Sequence, residues 1–389
     1  MSTTRNRKIL ISGGGMAGCT LAYFLKQQGF IPVVVETAPE FKRVGYLLAL
    51  NEQIGQKVAE KMDVLDALKK FEVQMTNNTM YDTEGRKLLH FTLDPATLNT
   101  RVGLMLNRAD LHLTLYEKVK NDVEFRMGLE ITALTETENG VLVTFSNGIE
   151  ELFDIVIGAD GIHSKVRKLV FGEGFENYMD NAYFAFTTQS IQVSNRLGRN
   201  EIKLIRGDGF TIAYLRLQND EVSAYVFHQE KILEKIAPVD RRDYILKTYG
   251  QFDADFKLMI EGMKKDEYIF HDGFTQIVMP QWHKGRVCLI GDAAFCPTPA
   301  SGVGASMAMA AAYIVAKKLS ESDYQKAFAD YDTYMRPYIK KAQSSASRML
   351  LLAAGGSIIS YKFTNFLLRL IPGGLVGRLH SHAINMPLP

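Results

Sequence analysis

The sequence predicts an α/β protein: a mainly parallel sheet interrupted by an inserted antiparallel sheet and followed by a C-terminal helix. Three observations predict it. A strand–turn–helix–strand unit opens the chain and carries glycines at positions 13, 15 and 18. Two later buried apolar runs, 153–158 and 286–290, end beside Asp160-Gly161 and Gly291-Asp292. Between them, residues 181–230 alternate apolar and polar side chains at the period of a strand.

In the opening unit, Lys8–Ser12 reads as a strand, Gly13–Gly18 as a turn, Cys19–Gln28 as a helix stopped by Gly29, and Pro32–Val35 as a second strand ending in Glu36. This is the spacing of a Rossmann-like dinucleotide-binding turn. Gly13 permits the tight turn, Gly15 lets backbone approach a pyrophosphate, and Gly18, beside Ala17, lets the helix sit close to the strand. Unpaired N–H groups at the helix start favour phosphate. Glu36 lies where a carboxylate grips ribose hydroxyls.

Farther along, Leu142–Phe145 and Asn147-Gly148 read as strand and hairpin, and a helix is expected from about Ser164 after Asp160. After Asp292 comes the turn Pro297–Gly304 and an alanine- and methionine-rich helix to about Leu319. Asp160 and Asp292 then share the C-terminal edge of the sheet, where open α/β folds bind ligands. The insert is expected to hold strands at 182–193, 211–217 and 222–227, with residues 231–270 helical. A helix is expected at 324–346, followed by an amphipathic one whose apolar stripe is Phe363, Phe366, Leu367, Leu370 and Ile371. That stripe is expected to be buried.

Composition excludes several function classes. The 389 residues, 47% hydrophobic and 23% charged, suit one to three domains with a sizeable core. A net charge of +2 gives no electrostatic case for a nucleic-acid partner. Three unpaired cysteines, Cys19, Cys288 and Cys296, argue against disulfides and suit a reducing cytoplasm. The eight histidines show no ligand spacing, so no metal is expected. Residues 1–7 lack a signal-peptide core. The charge-free stretch 349–361 is only 13 residues long, so stable membrane insertion is not expected.

The glycine triplet with Glu36, Asp160-Gly161, Gly291-Asp292 and Asn107-Arg108-Ala109-Asp110-Leu111 together resemble the FAD-dependent aromatic hydroxylases. These are class A flavoprotein monooxygenases with the para-hydroxybenzoate hydroxylase fold. Thr275-Gln276-Ile277, Trp282, Lys284-Gly285-Arg286, the stretch 291–304 and the ending Ala383–Pro387 resemble the tetracycline-inactivating branch, the tetracycline destructases. The resemblance implies bound FAD, with NADPH or NADH docking transiently because no second glycine triplet follows. It implies O₂ as co-substrate and a flavin C4a-hydroperoxide that hydroxylates an aromatic or polyketide small molecule. It assigns residues 1–75, 101–180 and 271–335 to an FAD-binding domain and residues 76–100 and 181–270 to a substrate domain. Residues 336–389 become a C-terminal helical segment that can cover the pocket.

By the same resemblance, Arg43 and Gly45 lie in a loop along the flavin, Arg108 reaches its side of the site, and Asp292 holds the ribityl chain. Asp160 either meets the ADP portion or holds the loop that shapes it. The Gly302, Val303 and Gly304 backbone stabilises N1 and the C2 carbonyl of the flavin. His228, Phe184 and Pro299 are the candidate substrate contacts. Val303 and Ser306 stand where the family usually has Gln and Asn. Alternative readings are hydroxylation of another phenolic or polyketide metabolite, reduction of isoprenoid double bonds, sequestration of a planar drug without turnover, and docking on a membrane surface. A cytoplasmic monomer is expected.

Overall fold

The computed structural model describes residues 7–41, 46–93, 103–353, 361–370 and 386–389. Its α/β fold is built around a six-stranded sheet in the order 283–284, 287–289, 155–158, 8–12, 31–36, 124–127. All neighbours run parallel except the edge pair His283–Lys284 and Val287–Leu289. Ile11 pairs with Ile157 on one side and Val34 on the other, so the three central strands are continuous apolar runs. Such runs are what a parallel sheet covered on both faces requires. Helices Met16–Gln27 and Gly304–Glu321 pack together against it. The second is alanine-rich because it is buried nearly all round: Ala310, Ala311, Ala312 and Ala316 have no exposed surface. A three-stranded antiparallel sheet, 131–137, 140–145 and 150–153, adds Val141, Val143, Phe145 and Phe153 to the same core.

The insert is a seven-stranded sheet in the order 270–277, 176–188, 222–229, 210–216, 201–206, 77–82, 87–92. Its neighbours are antiparallel except for Asn77–Asp82 beside Glu201–Arg206. Helices Arg241–Tyr249 and Ala254–Gly262 cover one face and close a second core around Phe184, Phe186, Val226 and Phe256.

Several elements differ from the sequence reading. The first helix begins at Met16, not Cys19, because Gly15 is its extended N-cap residue. The strand expected at 182–193 runs from Glu176 to Thr188, where a helical turn, Ile191–Ser194, replaces its end. Within 231–270 only the two helices and two short 3₁₀ turns are helical. The helix expected at 324–346 extends to Ala353.

The largest difference is the C-terminal helix, Tyr361–Leu370. It forms where the pattern puts it, but its apolar stripe is not buried: Phe366 is 55% and Leu370 62% exposed. The inward face is polar. Arg369 pairs with Asp82 at 3.0 Å, the Tyr361 hydroxyl donates to the Arg206 carbonyl at 2.8 Å, and Asn365 is buried. The Asp82 side chain is almost wholly buried, and a buried carboxylate needs cationic partners more than the stripe needs cover. Arg86 and Arg369 supply them. Ile371 lies outside the described residues.

The long helix Tyr324–Ala353 is fastened beside the six-stranded sheet by one cluster. Asp332 accepts hydrogen bonds from the Trp282 N–H at 3.1 Å and from two nitrogens of Arg336. Arg336 also donates to the Met279 carbonyl and stacks 4.3 Å over the Trp282 ring. Asp332→Ala leaves the Trp282 N–H unpaired and the half-buried Arg336 guanidinium without its carboxylate, so it should cost about 3 kcal/mol in urea unfolding. Asp332→Asn should cost about 1 kcal/mol, because the amide oxygen still accepts. Equal midpoints for wild type and Asp332→Ala would refute this role.

Candidate active site at the edge of the nucleotide-binding sheet

Each glycine of the first turn has its own steric reason. Gly13 has φ +100°, and a Cβ there would lie 2.5 Å from the Ala159 carbonyl oxygen. A Cβ at Gly18 would lie 1.9 Å from the Gly13 carbonyl oxygen, so the helix meets the strand backbone to backbone. A Cβ at Gly15 would meet nothing within 4 Å. That open cradle lies at the start of helix Met16–Gln27, which has no side-chain cap on its N–H groups. It is a fit for a pyrophosphate. Glu36 accepts from the Gly14 N–H at 2.8 Å and the Ala38 N–H at 2.9 Å, which holds its carboxylate beside the turn. Ala17 is buried against Gly291, where any Cβ would come within 3.2 Å of its own. Arg43 and Gly45 lie outside the described residues.

Asp160 holds its own loop. Its carboxylate accepts from the Ser164 hydroxyl and from the Lys165 and Val166 N–H groups at 2.9 and 3.0 Å, capping helix Lys165–Phe171. Burial raises its pKa despite these bonds. Sequence reasoning missed Arg167, which is fully buried one turn later. It donates to the carbonyls of Ala293 and Ile162 and pairs with Glu176 at 2.6 Å. Arg167 therefore ties the Asp160 loop to the Asp292 turn.

Asp292 begins the short helix Asp292–Phe295, and burial raises its pKa, with the Arg108 charge opposing. Arg108 opens helix Arg108–Val119, and its N–H donates to the Tyr46 carbonyl. Pro299 begins the 3₁₀ turn Pro299–Ser301, and Gly302 follows at φ +65° with open space where a Cβ would be. Val303 caps helix Gly304–Glu321, whose N-terminus faces this turn without a side-chain cap. Thr298, between two prolines, is held at φ +70°, with its hydroxyl buried and unpartnered. Strain and an orphaned polar atom at one turn mark a place shaped for a ligand. Ser306 is buried and accepts from the Asn51 N–H at 2.9 Å, so its side chain is engaged inside the protein.

An aromatic wall stands beside these turns. Tyr183, Phe227, Phe270 and Phe274 on the inserted sheet pack with Tyr46 and Ala300. The Tyr46 and Tyr183 hydroxyls are 3.4 Å apart, and burial raises both pKa values, so both keep their protons at neutral pH. The Leu47 N–H donates to the Tyr225 hydroxyl, joining the wall to the strand at Leu47–Leu50. The structure does not bring all of the expected substrate contacts to this wall. Phe184 alternates with Tyr183 and lies in the core beneath the helices, and His228 stacks on it. The expected substrate contacts Phe184 and His228 therefore face away from Tyr46 and the Asp292 turn, while Pro299 stays beside the wall. Among the described residues one set of potential metal ligands also converges, His228, Glu230 and His271, a grouping that the spacing of the histidines does not show.

The contrast between the glycines is testable by flavin titration and thermal melts. Gly15→Val should fold with an unchanged melting temperature yet bind FAD at least 100-fold more weakly, because its side chain fills only the cradle. Gly18→Ala should lose both stability and flavin, because its methyl displaces the helix. Normal FAD retention by Gly15→Val would remove the turn from the site.

Comparisons with known proteins agree with this geometry. The family model described as FAD binding domain matches residues 6–343. A flavin-dependent monooxygenase from an unknown prokaryotic organism is 29% identical over 348 residues, covering 87% of this chain and 88% of the relative. The solved structure of tetracycline destructase Tet(55) superposes with TM-score 0.79 at 23% identity, covering 100% of both chains. Klebsiella pneumoniae HpxO complexed with FAD and uric acid superposes with TM-score 0.82 at 20% identity, covering 98% of each. The chain belongs to the FAD binding domain family and is a flavin-dependent monooxygenase.

Proposed function

We propose that this enzyme uses NAD(P)H and O₂ to place one oxygen atom on an aromatic or polyketide molecule, with tetracyclines the first candidates. The observation that carries the reading is the wall of Tyr46, Tyr183, Phe227, Phe270 and Phe274 beside the Asp292–Gly302 turns. Its flat apolar surface, with two protonated hydroxyls, suits a fused-ring substrate bearing oxygen substituents. In this reading Gly13, Gly15, Ala17, Gly18 and Glu36 hold the ADP half of FAD, with Asp160 shaping the loop beside it. Arg43, Gly45, Arg108, Asp292 and the Gly302–Gly304 backbone hold the flavin half. Bound FAD, reduced by NAD(P)H, supplies the activated oxygen. The balance is one NAD(P)H, one proton, one O₂ and one C–H substrate giving NAD(P)⁺, hydroxylated product and water. The N–H groups at the start of helix Gly304–Glu321 would favour negative charge on the reduced ring.

The domain division follows the same reading: residues 1–75, 101–180 and 271–335 bind FAD, and residues 76–100 and 181–270 seat the substrate. Residues 336–389 close over the pocket, and the enzyme works as a monomer in the cytoplasm. Two placements support the closing role. Helix Tyr324–Ala353 packs on the Pro299–Ser301 turn, where Gln343 donates to the Ile277 carbonyl at 2.8 Å. Helix Tyr361–Leu370 is fastened to the inserted sheet.

Incubation of tetracycline with enzyme, NADPH and ¹⁸O₂ should yield a product carrying one ¹⁸O atom by mass spectrometry. A mass gain without label, or no turnover beside brisk turnover of a simple phenol, would reject the tetracycline assignment. Truncation after Ser347 keeps the Gln343 contacts and should keep FAD. It should raise KM about tenfold and divert NADPH oxidation to hydrogen peroxide, because water then reaches the flavin. Unchanged KM and coupling in a soluble, yellow truncated protein would eliminate the lid.

A further inference from the structure

The back of the inserted sheet, away from the aromatic wall, carries a group of side chains that flavin chemistry does not use. His228 and Glu230 lie two residues apart at the end of strand Val222–Gln229, and His271 lies on strand Phe270–Ile277. The two strands flank the same central strand, Glu176–Thr188. His228 pairs across it with Ala182, and His271 with Phe184, two residues on and on the same face. One ring nitrogen of each histidine and one carboxylate oxygen of Glu230 lie within 4.8 Å of one another.

We propose that His228, Glu230 and His271 form a binding site for a divalent transition-metal ion, zinc(II) foremost, that clamps the two strands of the inserted sheet. Two imidazoles and one carboxylate are a known donor set for zinc, with water as the fourth ligand. In a tetrahedral site with bonds of about 2.1 Å, neighbouring ligand atoms are about 3.4 Å apart. The His228 Nε2 and Glu230 Oε2 atoms already stand 3.3 Å apart. The Glu230 carboxylate is held in place for coordination, because its other oxygen accepts from the Glu234 N–H at 2.9 Å and so keeps Oε2 towards the histidine. His271 Nε2 is buried with no hydrogen-bond partner. Its ring stacks on Phe184 at 4.2 Å. Stacking alone would be served by a phenylalanine, whereas an orphaned buried nitrogen costs about 1–3 kcal/mol unless something coordinates it.

Access is open. A cleft of about 530 Å³, lined by Asp208, Phe210, His228 and Tyr249, leads from solvent to the His228 ring.

The test uses tag-free, FAD-loaded protein stripped with EDTA and titrated with zinc chloride by calorimetry. One zinc per chain should bind with micromolar or tighter affinity, and zinc K-edge absorption should show imidazole ligands at about 2.0–2.1 Å. Glu230→Gln and His271→Ala should each weaken binding at least thirtyfold while flavin content stays unchanged. If His271→Ala does not fold, Glu230→Gln with His228→Gln carries the comparison. The absence of stoichiometric zinc binding in wild type would overturn the proposal, and so would equal affinity in any folded variant.

Discussion

The contact of Gly18 with the Gly13 carbonyl is the constraint on which the chemistry of this protein depends. Helix Met16–Gln27 approaches strand Lys8–Ser12 so nearly that Gly18 has no room there for a single methyl group. That contact aims the uncapped end of the helix past Gly15 into open space. It also sets the position of Ala17, which meets Gly291; Gly291 in turn meets Ala308 and so brings helix Gly304–Glu321 alongside. The second helix carries its own uncapped N-terminus to the same edge of the sheet. Two helix ends, each without a side-chain cap on its N–H groups, thus meet at one edge of the sheet, and both favour negative charge there. Arg167 and Asp160 do for the loops what the glycines do for the helices, fixing the Asp160 and Asp292 turns relative to each other.

The inserted sheet separates two environments by strand parity alone. Along Glu176–Thr188, Tyr183 and Ala185 face the Asp292 turn, while Phe184 and Phe186 face the helices. A one-residue slip in register would exchange the faces, putting Phe184 and Phe186 where Tyr183 and Ala185 stand and removing the Tyr183 hydroxyl from the wall. The length of this strand resists that slip: it pairs with Val222–Gln229 over eight residues and with Phe270–Ile277 on its other edge.

How far these features can be read from the sequence follows from their physics. The glycine turn, Glu36 and the two strand-end aspartates are legible because backbone geometry and local spacing encode them. Arg167 is not, because nothing in a charged helix reveals that one arginine points into the core. Phe184 and His228 read as substrate contacts because alternation shows that a strand has two faces without showing which one packs with Tyr46 and Ala300. His228 and Glu230 have the i, i+2 spacing of one strand face, but His271 joins them only through sheet order, which is a long-range property. The stripe at Phe363–Leu370 is correctly legible as amphipathic and wrongly expected to be buried. Amphipathicity locates a face, whereas the buried charge on Asp82, far away in sequence, decides which face turns inward.

The order of the strands also governs how the chain comes together during synthesis. Lys8 bonds to Asp154 across 146 residues, and strand Ile155–Gly158 gains its second neighbour only when Val287–Leu289 has emerged. The inserted sheet, drawn mostly from the intervening residues, has a core of its own and can close first. Distant pairing is slow because loop closure precedes any compensating contact. In that interval Ile155–Gly158 presents an open apolar edge, the kind that recruits other chains. The nascent protein is therefore most prone to aggregate while the ribosome translates the insert, and relief comes with strand Val287–Leu289 rather than with any part of the inserted sheet.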